Sequence, residues 1–337
     1  AQAGRGEARA IDVAAGSLTE ALEGIDVVCA CVPYRLNLVV MEAALSAGCH
    51  YADLGGLFHM TRRQLTVDGR FREAGLAAVI GIGSAPGITN LMARLGAERL
   101  DSVETIELLN GSIDEDGGFG VPYAPDTIID EFTAPAMVFE EGKLREVPAA
   151  SGAIRYEFPP PIGELEAVYT LHSELATLPH TIEGVRNVRW RLALPPAVAQ
   201  GFKTLVDLGL ASEDPVETSA GPVVPRDFLL NALRRLPAPT GPPRDVEATI
   251  VAVEGTLEGR PAQFTGTAMF RPTPERISAG AFGTAIPIAV AARWLADGRV
   301  EAGVHPPETA FPAAAFLEDL AAEGVEFSYS LDDDLDT

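Results

Sequence analysis

Three short apolar runs, each ended by a turn signal and followed by a helical pattern, leave the first hundred residues few folds to choose from. Ile25-Asp26-Val27-Val28-Cys29-Ala30-Cys31-Val32 is almost continuously apolar and stops at Pro33. A run of that length without polar alternation reads as a strand buried on both faces, the habit of parallel sheets. Residues 38–47 then carry apolar side chains at helical spacing as far as Gly48, a helix stop. His50-Tyr51-Ala52-Asp53-Leu54 is a second strand running into Gly55-Gly56, and a polar helix over 61–74 closes at Gly75. Residues 77–82 form the next buried strand and 88–100 the next helix. Ahead of all these, residues 8–13 are expected to be a short strand, and Ser17-Leu18-Thr19-Glu20 is a capping-box start. Strict alternation of this kind specifies an α/β fold with a doubly wound parallel sheet. Its ligand site lies beyond the carboxyl ends of the strands. Pro33-Tyr34-Arg35, Asp53-Leu54-Gly55-Gly56 and Ser84-Ala85-Pro86-Gly87 fall there.

The texture changes after Asp101. Residues 103–109 read as a strand, 128–139 as a helix interrupted by Pro135, and Phe158-Pro159-Pro160-Pro161 as a rigid break. A strand follows over 187–194, a helix over 223–236 starting near Pro225, and a proline-rich loop over 237–243. Two long strands, 246–257 and 263–270, flank the turn Glu258-Gly259-Arg260, and helices close the chain over 283–296 and 313–322. This predicts a second, α+β domain with a mixed or antiparallel sheet over 101–282. Residues 1–100 form the dinucleotide-type domain, with 283–330 packing back on it.

A formal net charge of -23 repels phosphate and argues against a nucleic-acid partner. Only Lys143 and Lys203 are lysines, so arginine carries nearly all the positive charge. No run is read as reaching the ~18 apolar residues of a membrane span, and residues 1–9 lack a signal-peptide core. No membrane partner and a cytoplasmic location are therefore expected. Cys29, Cys31 and Cys49 have no metal spacing; Cys29 and Cys31 share one strand face as small buried residues, and no metal site is expected.

A sheet of this kind ordinarily opens with a strand, a glycine-rich turn and a helix whose amides receive a pyrophosphate. Gly81-Ile82-Gly83 begins such a fingerprint, but Gly87 comes one place late and Pro86 intrudes, so it is rejected as a phosphate loop. The expectation is that the sheet lacks its first strand–helix unit, roughly 30 residues ahead of Ala1. An open sheet edge would then favour a homodimer.

The order of several motifs resembles the saccharopine dehydrogenase-like family. They are 25–34, Ala47-Gly48-Cys49-His50-Tyr51-Ala52-Asp53, the segment 81–90, Pro161-Ile162-Gly163-Glu164-Leu165-Glu166-Ala167, Val224-Pro225-Arg226-Asp227 and Gly303-Val304-His305-Pro306-Pro307-Glu308. The resemblance spans Arg9 to Phe327 and is nearest the lysine 6-dehydrogenase branch, on Asp53-Leu54-Gly55-Gly56, Ala85-Pro86-Gly87 and Tyr34 with Asn37. Ala85 and His172 depart from the saccharopine-forming members, and Leu171-His172-Ser173-Glu174 departs from the lysine 6-dehydrogenase pattern. The resemblance implies a Rossmann-type fold. It also implies hydride transfer between NAD or NADP and the CH–NH carbon of an amino acid or secondary amine. An amine–aldehyde condensing reductase and a non-catalytic fragment are the competing readings. It places Pro33, Tyr34, Leu54, Gly55, Gly56, Ala85 and Pro86 at the cofactor.

Among polar residues, His172 is expected to be a general acid/base, with Glu174 orienting it or binding an ammonium group, the two sharing one side of a strand. A surface pair near a turn is the bland alternative. Tyr34 is a candidate to stack on the cofactor or donate a hydrogen bond, and Asp53 is expected to cap a turn. Asp130 and Glu131 are assigned to a solvated helix face, His50 and His59 to structural or exposed positions, and His305 to packing. His180 remains a minor site candidate.

Overall fold

The structure, a computed structural model, describes residues 6–13, 18–115, 117–237 and 241–333. The chain starts with a one-turn helix α1 (Leu18–Ala21), followed by strand β1 (Val27–Ala30) and helix α2 (Asn37–Ala47). Strand β2 (His50–Asp53) leads to helices α3 (Leu57–Leu65) and α4 (Asp68–Ala74), then strand β3 (Ala77–Val79) and helix α5 (Ile88–Ala97). The middle of the chain holds β4 (Ser102–Asp114), α6 (Pro125–Thr133), β5 (Ala136–Glu140), β6 (Lys143–Val147), β7 (Ile154–Phe158) and β8 (Gly163–Tyr169). After them come α7 (Leu178–Thr181), β9 (Asn187–Ala193), α8 (Pro196–Asp207), the small hairpin β10 (Val216–Thr218) and β11 (Gly221–Val223), and α9 (Pro225–Leu233). Two long strands, β12 (Asp245–Leu257) and β13 (Arg260–Phe270), precede α10 (Ala279–Ala296). The last elements are β14 (Gly303–His305), α11 (Pro307–Ala310), α12 (Ala313–Ala322) and β15 (Glu326–Asp332).

Strands β1, β2, β3 and β14 form a parallel sheet in that spatial order. Its side chains sort by the two-residue period of a strand. Tyr51 and Ala78 join the core beneath α1, α2 and α4, whereas Ala52, Ala77 and Val79 face the main core on the other side. The second sheet has nine strands, with β4 paired antiparallel to β12 and parallel to β9. Helix α5 packs on β12, β13 and β4. A short C-terminal stretch serves both sheets, because β14 extends the parallel one and β15 extends the mixed one.

Helix α10 is long and apolar enough to cross a membrane by composition alone, contrary to the reading of its sequence. It touches β1, β2, β12 and β13, so it is the core helix between the sheets. Ser278 caps it through the Ala281 amide, and Pro287 sits inside it.

Several expectations are corrected. Residues 6–12 carry no regular structure, so the strand over 8–13 is absent, and Ser17 of the capping box lies outside the described residues. Among the described residues β1 pairs only with β2, and Cys29 on it and Cys31 just beyond it are exposed rather than buried. An apolar run alone does not reveal whether a strand has neighbours on both sides. The helix over 61–74 is two helices, broken at Thr66-Val67. Helix α6 stops at Thr133, and the residues beyond Pro135 are strand β5 rather than more helix. Proline lacks an N–H and pushes its predecessor out of the α region, and Ala134 is extended (φ -76, ψ 141). The stops at Gly48 and Gly75 are as read, both glycines being left-handed (φ 77 and 68).

Candidate active site

The loops leaving β2 and β3 are organised by one buried carboxylate. Asp53 Oδ1 accepts the amides of Gly55 (2.8 Å) and Gly81 (2.7 Å), while Oδ2 accepts Tyr51 Oη (2.8 Å) and Gln64 Nε2 (2.5 Å). Burial pushes its pKa up, and those four bonds favour the ionised form. Asp53 therefore works as the turn-capping residue its sequence position suggested. Asn37 Nδ2 donates to the Gly55 carbonyl at 3.0 Å, fastening the loop from its other side. Gly55 (φ +110) lies against Pro86: a Cβ there would sit 2.8 Å from Pro86 Cγ. The Gly81 amide is taken by Asp53 and the Gly83 amide by the Pro86 carbonyl (2.8 Å). Neither is free for a phosphate, which agrees with rejecting Gly81-Ile82-Gly83 as a phosphate loop.

Helix α5 starts just beyond Pro86-Gly87. Asn90 Oδ1 accepts the Gly87 amide (3.0 Å), and its Nδ2 donates to Glu308 Oε2 (2.9 Å). Thr181 Oγ1 donates to Glu308 Oε1 at 2.9 Å. The motif around His305 thus ends in a buried clamp on the helix start. From the same helix, Thr89 Oγ1 donates to Glu174 Oε1 at 2.7 Å, and Glu174 Oε2 is hydrogen-bonded to His172 Nδ1. The His172 ring stacks on Trp190 with centroids 3.9 Å apart and planes 13° apart. Both His172 and Glu174 are buried, so they are not a surface pair. They lie on irregular chain and a 3₁₀ turn (Glu174–Ala176) rather than on a strand. Burial alone would lower the His172 pKa, but the charges of Glu174 and Glu131 outweigh it, so the imidazole is held above its usual range.

Asp130 and Glu131 are buried, which corrects their assignment to a solvated face. Asp130 Oδ2 accepts Tyr34 Oη and Arg35 (both 2.7 Å), and Oδ1 accepts Arg226 at 2.6 Å. Glu131 Oε2 accepts the Tyr123 hydroxyl. Burial drives Glu131 up to about 7, with His172 and the Tyr123 bond opposing that rise and Glu174 and Asp130 adding to it. A third acid, Glu247 on β12, accepts Ser84 Oγ (2.9 Å) and Asn110 Nδ2 (2.8 Å), and burial raises its pKa too. Glu131 and Glu174 thus face one imidazole, that of His172, while Arg35 and Arg226 are both bonded to Asp130.

Of the residues expected at a cofactor, Gly55 and Pro86 touch, Leu54, Ala85 and Tyr34 are half-buried nearby, and Pro33 is exposed. Gly56 precedes α3, where a Cβ would meet Met60 Cγ at 2.6 Å; its smallness serves packing. The Tyr34 hydroxyl is committed to Asp130, and burial with that contact lifts its pKa to about 12. His180 is exposed, as is His59, while His50 Nδ1 accepts the Ala77 amide at 3.0 Å. Glu131, Asp130, Arg226, Tyr123, Glu247 and Thr89 were not singled out as site residues. Arg226 and Thr89 lay in quoted motifs, Val224-Pro225-Arg226-Asp227 and the segment 81–90, and the adjacent acids at 130 and 131 beside apolar Ile128 and Ile129 were a further signal.

The residues at the strand ends fit the ring end of a nicotinamide cofactor. Leu54, Ala85 and Tyr34 offer apolar faces. Among the described residues the Ser173 hydroxyl is buried without a partner, 3.6 Å from where a Gly55 Cβ would stand, so a polar group is wanted there.

A parallel sheet whose strand-end loops abut a large mixed sheet, with buried acids and a histidine between them, defines a two-sheet α/β protein. A family model, the saccharopine dehydrogenase C-terminal domain, matches residues 83–325, and the chain belongs to that family. It is 26% identical over 220 residues to a carboxynorspermidine synthase of Vibrio alginolyticus, covering 62% of this chain and 52% of that one. It is 26% identical over 207 residues to a carboxyaminopropylagmatine dehydrogenase of Synechocystis sp., covering 59% and 51%. The chain spans about half the length of these curated relatives. Its fold matches apo saccharopine dehydrogenase (L-Glu forming) from Saccharomyces cerevisiae with a TM-score of 0.74 at 16% identity, covering 95% of this chain and 88% of that one.

Proposed function

We propose that this chain is an oxidoreductase that moves a hydride between a nicotinamide cofactor, NAD or NADP, and the CH–NH carbon of a cationic amine or amino acid. The observation that carries this reading is the pair of buried carboxylates, Glu131 and Glu174, opposed by the one imidazole of His172. Buried charge in excess favours a cationic ligand, because uncompensated burial is costly. An ammonium group supplies what the site lacks.

Pro33, Tyr34, Leu54, Gly55, Gly56, Ala85 and Pro86 would border the cofactor, which supplies or accepts the hydride when bound. Tyr34 contributes its ring face, its hydroxyl being spent on Asp130. His172, fixed by Glu174 and by stacking on Trp190, is the polar group that manages charge on the reacting nitrogen. In this reading residues 1–100 with 283–330 hold the cofactor and 101–282 the substrate. Three unpaired thiols suit a reducing, cytoplasmic compartment. Exposed apolar side chains around β1, Ile25 ahead of it (45% accessible) and Val39 on α2 (43%), suit a homodimer.

A second reading, a reductase that joins an amine to an aldehyde, is favoured by relatives named for carboxynorspermidine and carboxyaminopropylagmatine. It uses the same site in the reductive direction. The first test is a fluorescence titration of the chain with NADH and with NADPH. Saturable binding of either supports the dehydrogenase reading, followed by a screen of diamines and basic amino acids for turnover. Binding of neither, with this chain or with one extended upstream, would leave a non-catalytic protein.

A further inference from the structure

We propose that Glu131 is the base that removes the proton from the substrate nitrogen, with Tyr123 as its positioning residue. This rests on the amine-oxidising reading above. The chemistry requires such a group. An ammonium has no lone pair to form a C=N bond, so one N–H bond must break first. Its proton passes to a Glu131 oxygen and the electron pair stays on nitrogen. The C–H bond then breaks, its pair leaving as hydride to the oxidised nicotinamide, and the nitrogen pair becomes the second bond of an iminium. Charge and protons balance, with one proton on Glu131 and one hydride on the cofactor.

Glu131 has one fixed bond, from Tyr123 to Oε2, and among the described residues Oε1 has no hydrogen-bond partner. His172 is the obvious rival, and its surroundings disqualify it as acceptor. Its Nδ1 is engaged by Glu174, its face lies on Trp190, and the neighbouring acids hold it protonated to higher pH. A ring engaged at Nδ1 and covered on one face is less open to a new proton than a carboxylate with one fixed bond. Both neighbours are raised, the carboxyl by its burial and the imidazole by the acids around it, so the difference between them lies in which atoms are already engaged. Glu131 is also the better base for being buried. An ordinary carboxyl at 4.5 takes a proton from an ammonium far less readily than one pushed to about 7, a difference of roughly 300-fold.

The groups acting on Glu131 come from every side of it. Tyr123 belongs to the glycine-containing loop ahead of α6, and Asp130 is its neighbour on α6, already paired to Arg35 and Arg226. His172 and Glu174 come from the segment between β8 and α7. Tyr123 is 36% exposed although its hydroxyl reaches the buried acid, so it also closes the site toward solvent.

The test counts protons rather than turnover. The NADH-loaded full chain is titrated calorimetrically with 1,5-diaminopentane and with L-lysine at pH 7, in phosphate and in Tris, whose ionisation heats differ. A Glu131 near half protonation should release about half a proton per amine bound, as the arriving cation forces it to ionise. Glu131→Gln should release none and should slow amine-dependent reduction of NAD or NADP by about 100-fold or more. Tyr123→Phe keeps the acid but removes a bond that favours its charged form, so it should release more than the parent protein. That second variant guards against a Gln variant that fails to fold. Equal proton counts in all three proteins, or no amine binding by the parent protein at millimolar concentration, overturn the assignment of Glu131. Loss of NADH binding by the parent protein is a separate result and overturns the hydride-transfer reading instead.

Discussion

Asp130 and Glu131 are neighbours on one helix, and their partners separate their fates. Asp130 receives two guanidinium groups and a phenol; Glu131 receives a single phenol. Carboxylate charge is cheap to bury only when matched, so the unmatched acid holds its proton to higher pH, up to about 7. With its folded pKa raised, Glu131 binds a proton that the unfolded chain releases near 4.5. The stability it contributes is complete below that pH and is lost as pH climbs to about 7. His172, also raised, contributes stability below its ordinary 6.5 that is lost as pH rises through its folded value. Glu131→Gln should therefore stabilise the protein by on the order of 3 kcal/mol at pH 8 and by almost nothing at pH 4. Urea denaturation at the two pH values checks it, and equal gains at both would sink the linkage argument. Apolar Ile128 and Ile129 are the only local hint of this, because the charges acting on Glu131 include those of His172 and Glu174, more than 40 residues away.

At the scale of elements, the turn from β3 into α5 shows how backbone geometry serves the site. Gly83 and Gly87 approach so closely that a Cβ on Gly87 would lie 2.2 Å from the Gly83 carbonyl oxygen, and Gly87 has φ +131. Gly87→Ala should cost about 3 kcal/mol, seen as a lower denaturation midpoint, and should weaken NADH binding through the displaced Ala85-Pro86 segment. An unchanged midpoint would mean the loop relaxes freely. Helix stops at Gly48 and Gly75, the long pair β12 and β13, and the strand 187–193 were legible, since each rests on a local period or a single special residue. The break at Thr66-Val67 and the exposure of Cys29 on β1 were not. Both depend on what packs beside the element rather than on what lies within it.

Across the whole molecule, Asp130 ties the parallel sheet to the helices of the mixed one. Tyr34 and Arg35 follow β1, Asp130 sits on α6, and Arg226 begins α9. Asp130→Ala leaves the Arg226 guanidinium, its side chain only 6% exposed, without its near partner. It should cost about 3–5 kcal/mol, and Asp130→Asn less, both measured by chemical denaturation. A loss below 1 kcal/mol for the alanine variant would show that Glu213, 3.7 Å from Arg226, takes over the pairing. Fold class, the mixed second sheet and the placing of loops at strand ends follow from periodicity and turn residues, which are properties of consecutive backbone. The His172–Glu174 pair was also within reach, being two residues apart. Its linkage to Thr89, its nearness to Glu131 and the burial of that acid were not. Those proximities join residues more than 40 positions apart, and they exist because α5 packs on the mixed sheet while β9 lies beside β4. No local pattern encodes a distance of that kind; packing of the two sheets against each other sets it.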